Sequence, residues 1–259
     1  MKEIAIRAAK SAGKILSDNF SNKFIVKTKN NHHQVVTDAD HLSQKTISKI
    51  IKSSYPAHSI FDEESKEYFD KSAEYNWIID PLDGSANYVS KNSYFCVSIA
   101  LQHNLETILG IVYSPITKEL FVAEKGKGAF LNNKKIQISG PSQLKDAVIC
   151  IDWSHYRGEN KEKAKDILYV FGKEARKVSS YGAGALSAAQ VSIGRFDAYF
   201  SIQSNPWDHA AAALIVQEAG GIATTANGEK QVGFTNSIFV SNREIHYKLF
   251  KVLRNLNKI

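Results

Sequence analysis

The stretch IIDPLDGSANY, residues 78–88, limits what this chain can fold into more than any other. Trp77, Ile78 and Ile79 read as a buried strand. The strand leaves its apolar setting at Asp80, and Asp83 follows three positions later across Pro81. Like charges that close repel, and burying an unpaired carboxylate costs several kcal/mol or shifts its pKa. A fold built on this stretch has to place something positive between the two acids.

A hard divalent cation resolves the conflict. Aspartates at i and i+3 of a tight turn can face one side, and the Leu82 carbonyl between them offers a further oxygen. Such oxygens suit Mg²⁺, which keeps some of its waters. Gly84 lets a bulky anion approach the backbone. The N–H groups after it favour phosphate, and Ser85 offers a hydroxyl that can take or pass on a proton. The combination points to metal-assisted phosphoryl transfer to water.

Other acids extend the set. Glu63 and Glu64 close the strand-like segment HSIFDEES, where alternation turns only one of them toward any common site. Asp208 stands where an alanine-rich helix begins, in NPWDHAAAALIVQEAGG, and Asp40 lies in VVTDAD. Taken singly, Asp208 reads as a helix-terminus acid and Asp83-Gly84 as turn chemistry. Their apolar flanks argue for a shared role.

The rest of the chain supplies a scaffold. Residues 3–20 read as an amphipathic helix, 23–29 as a short strand, and 35–56 as a helix starting near Thr37 or Asp38. SYFCVSIAL alternates, with Phe95, Val97, Ile99 and Leu101 on one face. ETILGIVYS, KELFVAEKG and GAFLNNKKIQIS continue as a meander. Beyond it, strands and helices alternate, as a layered α/β region requires. The change of rhythm divides the chain into an N-terminal α+β region, 1–143, and a C-terminal α/β region, 144–259.

At 43% hydrophobic and 23% charged, the composition is that of an ordinary globular protein. No stretch approaches the ~20 apolar residues of a membrane span, so no membrane partner is expected and a cytoplasmic location is. Cys96 and Cys150 lie in apolar runs without metal-ligand spacing and read as buried free thiols. The cations behind the net charge of +7 are scattered, which reads as a solvated basic surface or, more sharply, as attraction of anions, phosphorylated metabolites or nucleic acid. No basic-aromatic interleaving of a nucleic-acid module stands out, which makes nucleic acid an unlikely partner. The paired His32-His33 and His209 read as surface or packing histidines, and Trp77 and Trp207 as packing anchors.

EES (63–65), WIIDPLDGSANY (77–88) and WDHAAAALIVQEAGG (207–221) come in order along one chain. VVTDAD (35–40), GKGAFLNNKKIQIS (126–139) and GALSAAQVSIGRFDAYF (184–200) connect them. In these stretches the chain resembles the inositol monophosphatase family of Mg²⁺-dependent, lithium-sensitive phosphatases. The resemblance implies an αβαβα layered sandwich, usually a homodimer, acting on a small phosphorylated metabolite with two to three Mg²⁺ ions. Glu63, Asp80 and the Leu82 carbonyl would hold one ion. Asp80, Asp83 and Asp208 would hold a second, with Glu63 shared by a third. Asp40 and Ser85 would be the catalytic pair that orients and deprotonates water, with Ser85 where the family usually has threonine. The Gly84 and Ser85 amides would hold phosphate, and Gly182, Ala183 and Gly184 would offer backbone groups to the substrate.

Two departures bear on the substrate. Asp62 stands where the family commonly has glycine. Ser201 stands where inositol-specific members carry a glutamate that bonds sugar hydroxyls. Adenosine 3′,5′-bisphosphate, fructose 1,6-bisphosphate and histidinol phosphate phosphatases share the metal set and stay as alternatives to an inositol-type enzyme. The alternative of another class is a non-catalytic anion- or RNA-binding protein.

Overall fold

The alternation of residues 95–101 belongs to a strand covered on both faces. Phe95, Val97, Ile99 and Leu101 join one apolar cluster, while Cys96 and Ala100 join another. A strand that buries both rows needs a layer on each side of its sheet, and the computed structural model supplies both. It describes residues 1–21, 26–28, 35–64, 69–153, 158–230 and 233–255. His32-His33 and Ser65 lie outside the described residues.

The elements run α1 (Lys2–Phe20), β1 (Val26–Thr28), β2 (Val35–Thr37), α2 (Asp38–Ser54), β3 (Ser59–Asp62), β4 (Tyr75–Asp83), α3 (Ser85–Val89), β5 (Cys96–His103), β6 (Glu106–Ser114), β7 (Glu119–Glu124), β8 (Gly128–Leu131) and β9 (Lys134–Ile136). They continue with β10 (Val148–Ile151), α4 (Gly158–Glu174), β11 (Lys177–Ser179), α5 (Gly184–Val191), β12 (Ala198–Ser201), α6 (Pro206–Glu218), β13 (Ile222–Thr224), β14 (Ile238–Ser241) and α7 (Arg243–Asn255). Strands β3 to β9 form one sheet in sequence order, antiparallel except for the β3–β4 pair. The second sheet has the order β11-β10-β12-β14-β13, with β10 parallel to both its neighbours.

Three apolar clusters define five layers. Helices α1 and α2 cover the outer face of the large sheet through Ala8, Ala12, Leu16, Ile47 and Ile51. Helices α5 and α6 lie between the two sheets. Helices α4 and α7 cover the outer face of the small sheet through Ile167, Phe171, Ile245 and Leu249. This is the αβαβα sandwich that the sequence leads one to expect. The burial of side chains such as Trp77, Phe121, Phe200 and Phe239 drives the stacking, at about 1.5–3 kcal/mol for each large apolar side chain. Among the described residues no helix is long and apolar enough to cross a membrane.

The alanine run of α6 has a packing reason. Every residue from His209 to Val216 is buried, because a sheet covers each side of the helix. Small side chains let backbones approach closely. A Cβ on Gly110 of β6 would stand 2.5 Å from the Ala211 carbonyl oxygen. This close approach sets α6, and with it Asp208, against the large sheet.

Candidate metal and phosphate site

The DPLD stretch differs from the tight turn expected of it. Strand β4 runs on through Asp83, and its pairing with β5 slips between Asp80, opposite Ser98, and Asp83, opposite Cys96. Three steps on β4 answer two on β5, which is a one-residue bulge. In a regular strand residues three apart face opposite sides. The bulge removes that half-turn, so Asp80 and Asp83 both face the α5–α6 layer. Ser43 of α2 fixes it by donating to the Pro81 carbonyl at 2.8 Å.

Each acid is held by backbone donors. Asp80 Oδ1 accepts from Leu82 N at 2.9 Å. Asp83 takes the first amides of α5, Gly184 N at 2.9 Å and Leu186 N at 3.1 Å, and accepts from the Cys96 thiol at 3.4 Å. Asp208 closes a capping box at the start of α6, accepting from Asn205 N at 2.7 Å. The helix-terminus reading of Asp208 is therefore correct as far as it goes. Glu63 lies just past β3, its N–H donating to the Ile79 carbonyl at 3.2 Å. There the backbone bends, so strand alternation no longer sorts Glu63 from Glu64. Asp62 causes the bend: it is buried and accepts from Glu64 N at 2.8 Å and from Gln44 Nε2 at 3.1 Å. The extra acid beside the cluster thus has a local structural task.

The electrostatics show that these groups are neighbours. Burial raises the carboxyl of Asp80 well above its ordinary range, and the charges of Glu63, Asp83 and Asp208 raise it further. Asp208 is raised well above its usual value by burial and by Glu63. Asp83 is pushed up to about 7, chiefly by burial, against the lowering effect of its amide donors. Among the described residues no three His, Cys, Asp or Glu side chains converge tightly enough to hold a metal ion as they stand. The donor set nevertheless fits a hard divalent cation. It is all oxygen and carries excess negative charge, and an oxygen that accepts one amide has a second lone pair.

Asp40 and Ser85 form a separate pair at the edge of this cluster. Asp40 is the third residue of α2 and caps the helix, its Oδ2 accepting from Thr37 N at 2.9 Å and Thr37 Oγ1 at 2.5 Å. Its Oδ1 accepts from Ser85 Oγ at 3.1 Å, and the same hydroxyl lies 3.0 Å from the Leu82 carbonyl. Burial raises the Asp40 carboxyl above its usual range. Gly84, at φ 90°, is the N-cap of α3. A Cβ there would meet the Ala183 Cβ and the Tyr94 carbonyl, each at 3.0 Å, so glycine is needed on both counts.

The remaining expected residues fall close by, with different partners. Gly182 and Ala183 lead into α5, and the Gly184 amide donates to Asp83. Ser201 ends β12, fully buried, its hydroxyl donating to the Gln203 carbonyl at 3.0 Å. Trp207 packs on Phe61, with ring centroids 5.1 Å apart, and its carbonyl accepts from Ser98 Oγ, which anchors the start of α6. Sequence reasoning passed over Thr37, Cys96 as a donor, and Asp152. Asp152 follows an apolar run as Asp80 does, and that signal could have found it.

Residues 1–258 match the inositol monophosphatase family. The chain belongs to that family. Among family relatives, a Nus factor SuhB of Vibrio cholerae is 36% identical over 259 residues, covering 99% of this chain and 97% of its own. The extragenic suppressor protein suhB of Bartonella henselae superposes with a TM-score of 0.92 at 31% identity, covering 97% of each chain. An IMPase of Thermotoga maritima superposes with a TM-score of 0.89 at 30% identity, over 99% of this chain and 97% of its own.

Proposed function

We propose that this protein is a Mg²⁺-dependent phosphomonoester hydrolase of the inositol monophosphatase type. One observation carries the reading. Buried carboxylates from the β4 bulge and the α6 start lie within reach of one another's charge and of the half-buried Glu63, beside a hydrogen-bonded Asp40–Ser85 pair. Structural acids are ordinarily arranged to relieve repulsion, and this set accumulates it.

Glu63, Asp80, the Leu82 carbonyl, Asp83 and Asp208 would hold the ions. Bound there, magnesium supplies Lewis acidity toward the attacking water and the leaving ester oxygen. The chain's own groups do the rest. Thr37 locks Asp40 so that Oδ1 faces the serine hydroxyl. Ser85 accepts a proton from water and passes its own to Asp40, whose raised pKa suits it to receive one. The O–P bond forms in line as the ester bond opposite it breaks, and the leaving oxygen takes a proton from solvent. The amides of Gly84 and Ser85 hold the phosphate. Inositol monophosphates come first among substrates, and a homodimer is the assembly we infer.

Purified protein assayed for phosphate release from inositol 1-phosphate, with and without Mg²⁺ and lithium, tests the reading. Turnover should need Mg²⁺, fall with lithium and drop by ~10³-fold or more in Asp83→Asn. Turnover unchanged in EDTA overturns it. Adenosine 3′,5′-bisphosphate, fructose 1,6-bisphosphate and histidinol phosphate in the same assay rank the related substrates.

The relatives named Nus factors favour a second, non-catalytic reading, and they weigh lightly against the expectation that nucleic acid is an unlikely partner. Helix α7 gives that reading a surface: Arg243, Lys248, Lys251 and Arg254 against the single acid Glu244, with Tyr247 63% exposed. RNA binding that weakens steeply with salt, without phosphate release, would favour it.

A further inference from the structure

Asp152 lies one residue beyond β10, and four observations place its carboxylate beside the candidate site. Along β10, Ile149 and Ile151 face the α4–α7 layer while Cys150 faces the α5–α6 layer. Continuing that alternation, Asp152 faces the α5–α6 side. Its N–H donates to the Phe200 carbonyl at 3.1 Å, which keeps it in register with the end of β12. With Tyr181, Gly182, Ala183, Gly184 and Tyr199 it borders a narrow crevice at the start of α5. Its charge also reaches both Asp83 and Asp208.

The position has a chemical meaning. Gly84, whose added Cβ would stand 3.0 Å from that of Ala183, borders the crevice on the large-sheet side, and the adjacent Ser85 bonds Asp40. A leaving group extending from a phosphate at Gly84 would run toward the small-sheet side, where Asp152 and Ser201 stand at the ends of neighbouring strands. Ser201 is fully buried and its hydroxyl donates to the Gln203 carbonyl. Asp152 keeps partial exposure, so it is the charged member of that pair. A carboxylate there accepts hydrogen bonds from hydroxyls and repels a second anionic group.

On the reading of this site as a phosphomonoesterase, we propose that Asp152 sets specificity for the leaving group. It favours an uncharged polyol, whose hydroxyls donate to it, and disfavours substrates carrying a second phosphate.

The test compares kcat/KM for inositol 1-phosphate and fructose 1,6-bisphosphate in the wild type, Asp152→Asn and Asp152→Glu, with the Mg²⁺ half-saturation point measured for each protein. Asp152→Asn should shift the ratio toward the bisphosphate by about tenfold, and Asp152→Glu should preserve the wild-type preference. In both variants the Mg²⁺ midpoint should stay within about twofold of wild type, because the residue contacts the alcohol and not the ion. Equal losses on both substrates, or a Mg²⁺ midpoint displaced tenfold in Asp152→Asn, overturn the assignment and make Asp152 part of the metal machinery. Absence of wild-type turnover on both of these and on adenosine 3′,5′-bisphosphate and histidinol phosphate refutes the phosphatase reading itself, a different failure from an unaltered ratio in active enzyme.

Discussion

Asp208 and His209 are adjacent on α6, and both are polar groups in an apolar sandwich, yet the chain treats them in opposite ways. His209 is buried with each ring nitrogen matched to a hydroxyl, Ser204 Oγ at 2.9 Å and Thr235 Oγ1 at 3.1 Å. His246 in the small sheet's outer layer repeats the device with Ser241 at 2.9 Å and Thr224 at 3.2 Å. A hydroxyl can donate or accept, so either tautomer is satisfied. Asp208 instead joins Asp80, Asp83 and Glu63, and the charges of Glu63 and Asp83 raise both Asp80 and Asp208. A buried polar group that is neutral and satisfied belongs to the fold. Buried charges of one sign, gathered from separate elements, cost the fold stability and imply a ligand of opposite sign.

Exchanging the two kinds of residue breaks this contrast most directly. Asp80→Asn keeps an oxygen for the Leu82 amide and removes a buried charge from the cluster. Activity should fall by ~10³-fold or more, while the metal-free protein melts at a higher temperature than wild type. The rise in Tm that Mg²⁺ gives the wild type should shrink or vanish, since stabilisation follows binding to the native state. His209→Ala should do the reverse. It empties a buried site and takes one partner from each of two hydroxyls, at a cost of about 2–5 kcal/mol. Its remaining folded fraction should still gain stability from Mg²⁺. Thermal melts with and without Mg²⁺, run on both variants, decide the matter. A drop in metal-free Tm for Asp80→Asn would mean that the acids hold the fold together.

The pH dependence sharpens the same comparison because the two groups slope in opposite directions. Asp83 is raised from 3.8 to about 7 in the folded chain. The native state then binds more protons than the unfolded one across that window, so metal-free stability falls as pH rises from about 4 to 7. Burial lowers His209 from 6.5 to about 3 and His246 from 6.5 to about 4. Their contribution is complete above pH 6.5 and is lost as pH falls toward those values. Urea midpoints measured without metal should therefore be highest at mildly acid pH and decline on both sides. Added Mg²⁺ should abolish the decline on the neutral side, because its ligands must be deprotonated to bind it. Asp83→Asn should weaken the same limb without metal and leave the acid limb in place.

Much of this was legible in the sequence, and the limits have a physical origin. The strand at 95–101 shows in its alternation and the helix from Asp208 in its unbroken run of small apolar residues, because each is set by what covers it. The acids of DPLD and WDHAA stand out because apolar flanks make a carboxylate conspicuous. What the sequence hides is pairing. The slip that brings Asp80 and Asp83 to one face is a property of β4 and β5 together, so the stretch reads as a turn. Asp62 cannot be assigned to the Glu63–Glu64 bend until Gln44 of α2 is seen to reach it. Asp152 borders the crevice because β10 lies beside β12, a neighbour almost fifty residues away. Contacts of that range leave no trace in local spacing.

The smallest effect concerns Cys96, whose thiol donates to Asp83 Oδ2 at 3.4 Å from the strand opposite the bulge. The thiol is a weak donor, and burial pushes its own pKa well up, so it stays protonated and able to donate. Two amides already hold Asp83, which leaves the thiol to trim the carboxylate's orientation. Cys96→Ala should weaken the Mg²⁺ half-saturation point by about twofold, the low end for a single hydrogen bond. Cys96→Ser, with a stronger donor of similar size, should recover it or tighten it slightly. An unchanged midpoint in Cys96→Ala would mean that Gly184 and Leu186 alone orient Asp83. The small residue at position 96 would then serve packing against α5 and nothing more.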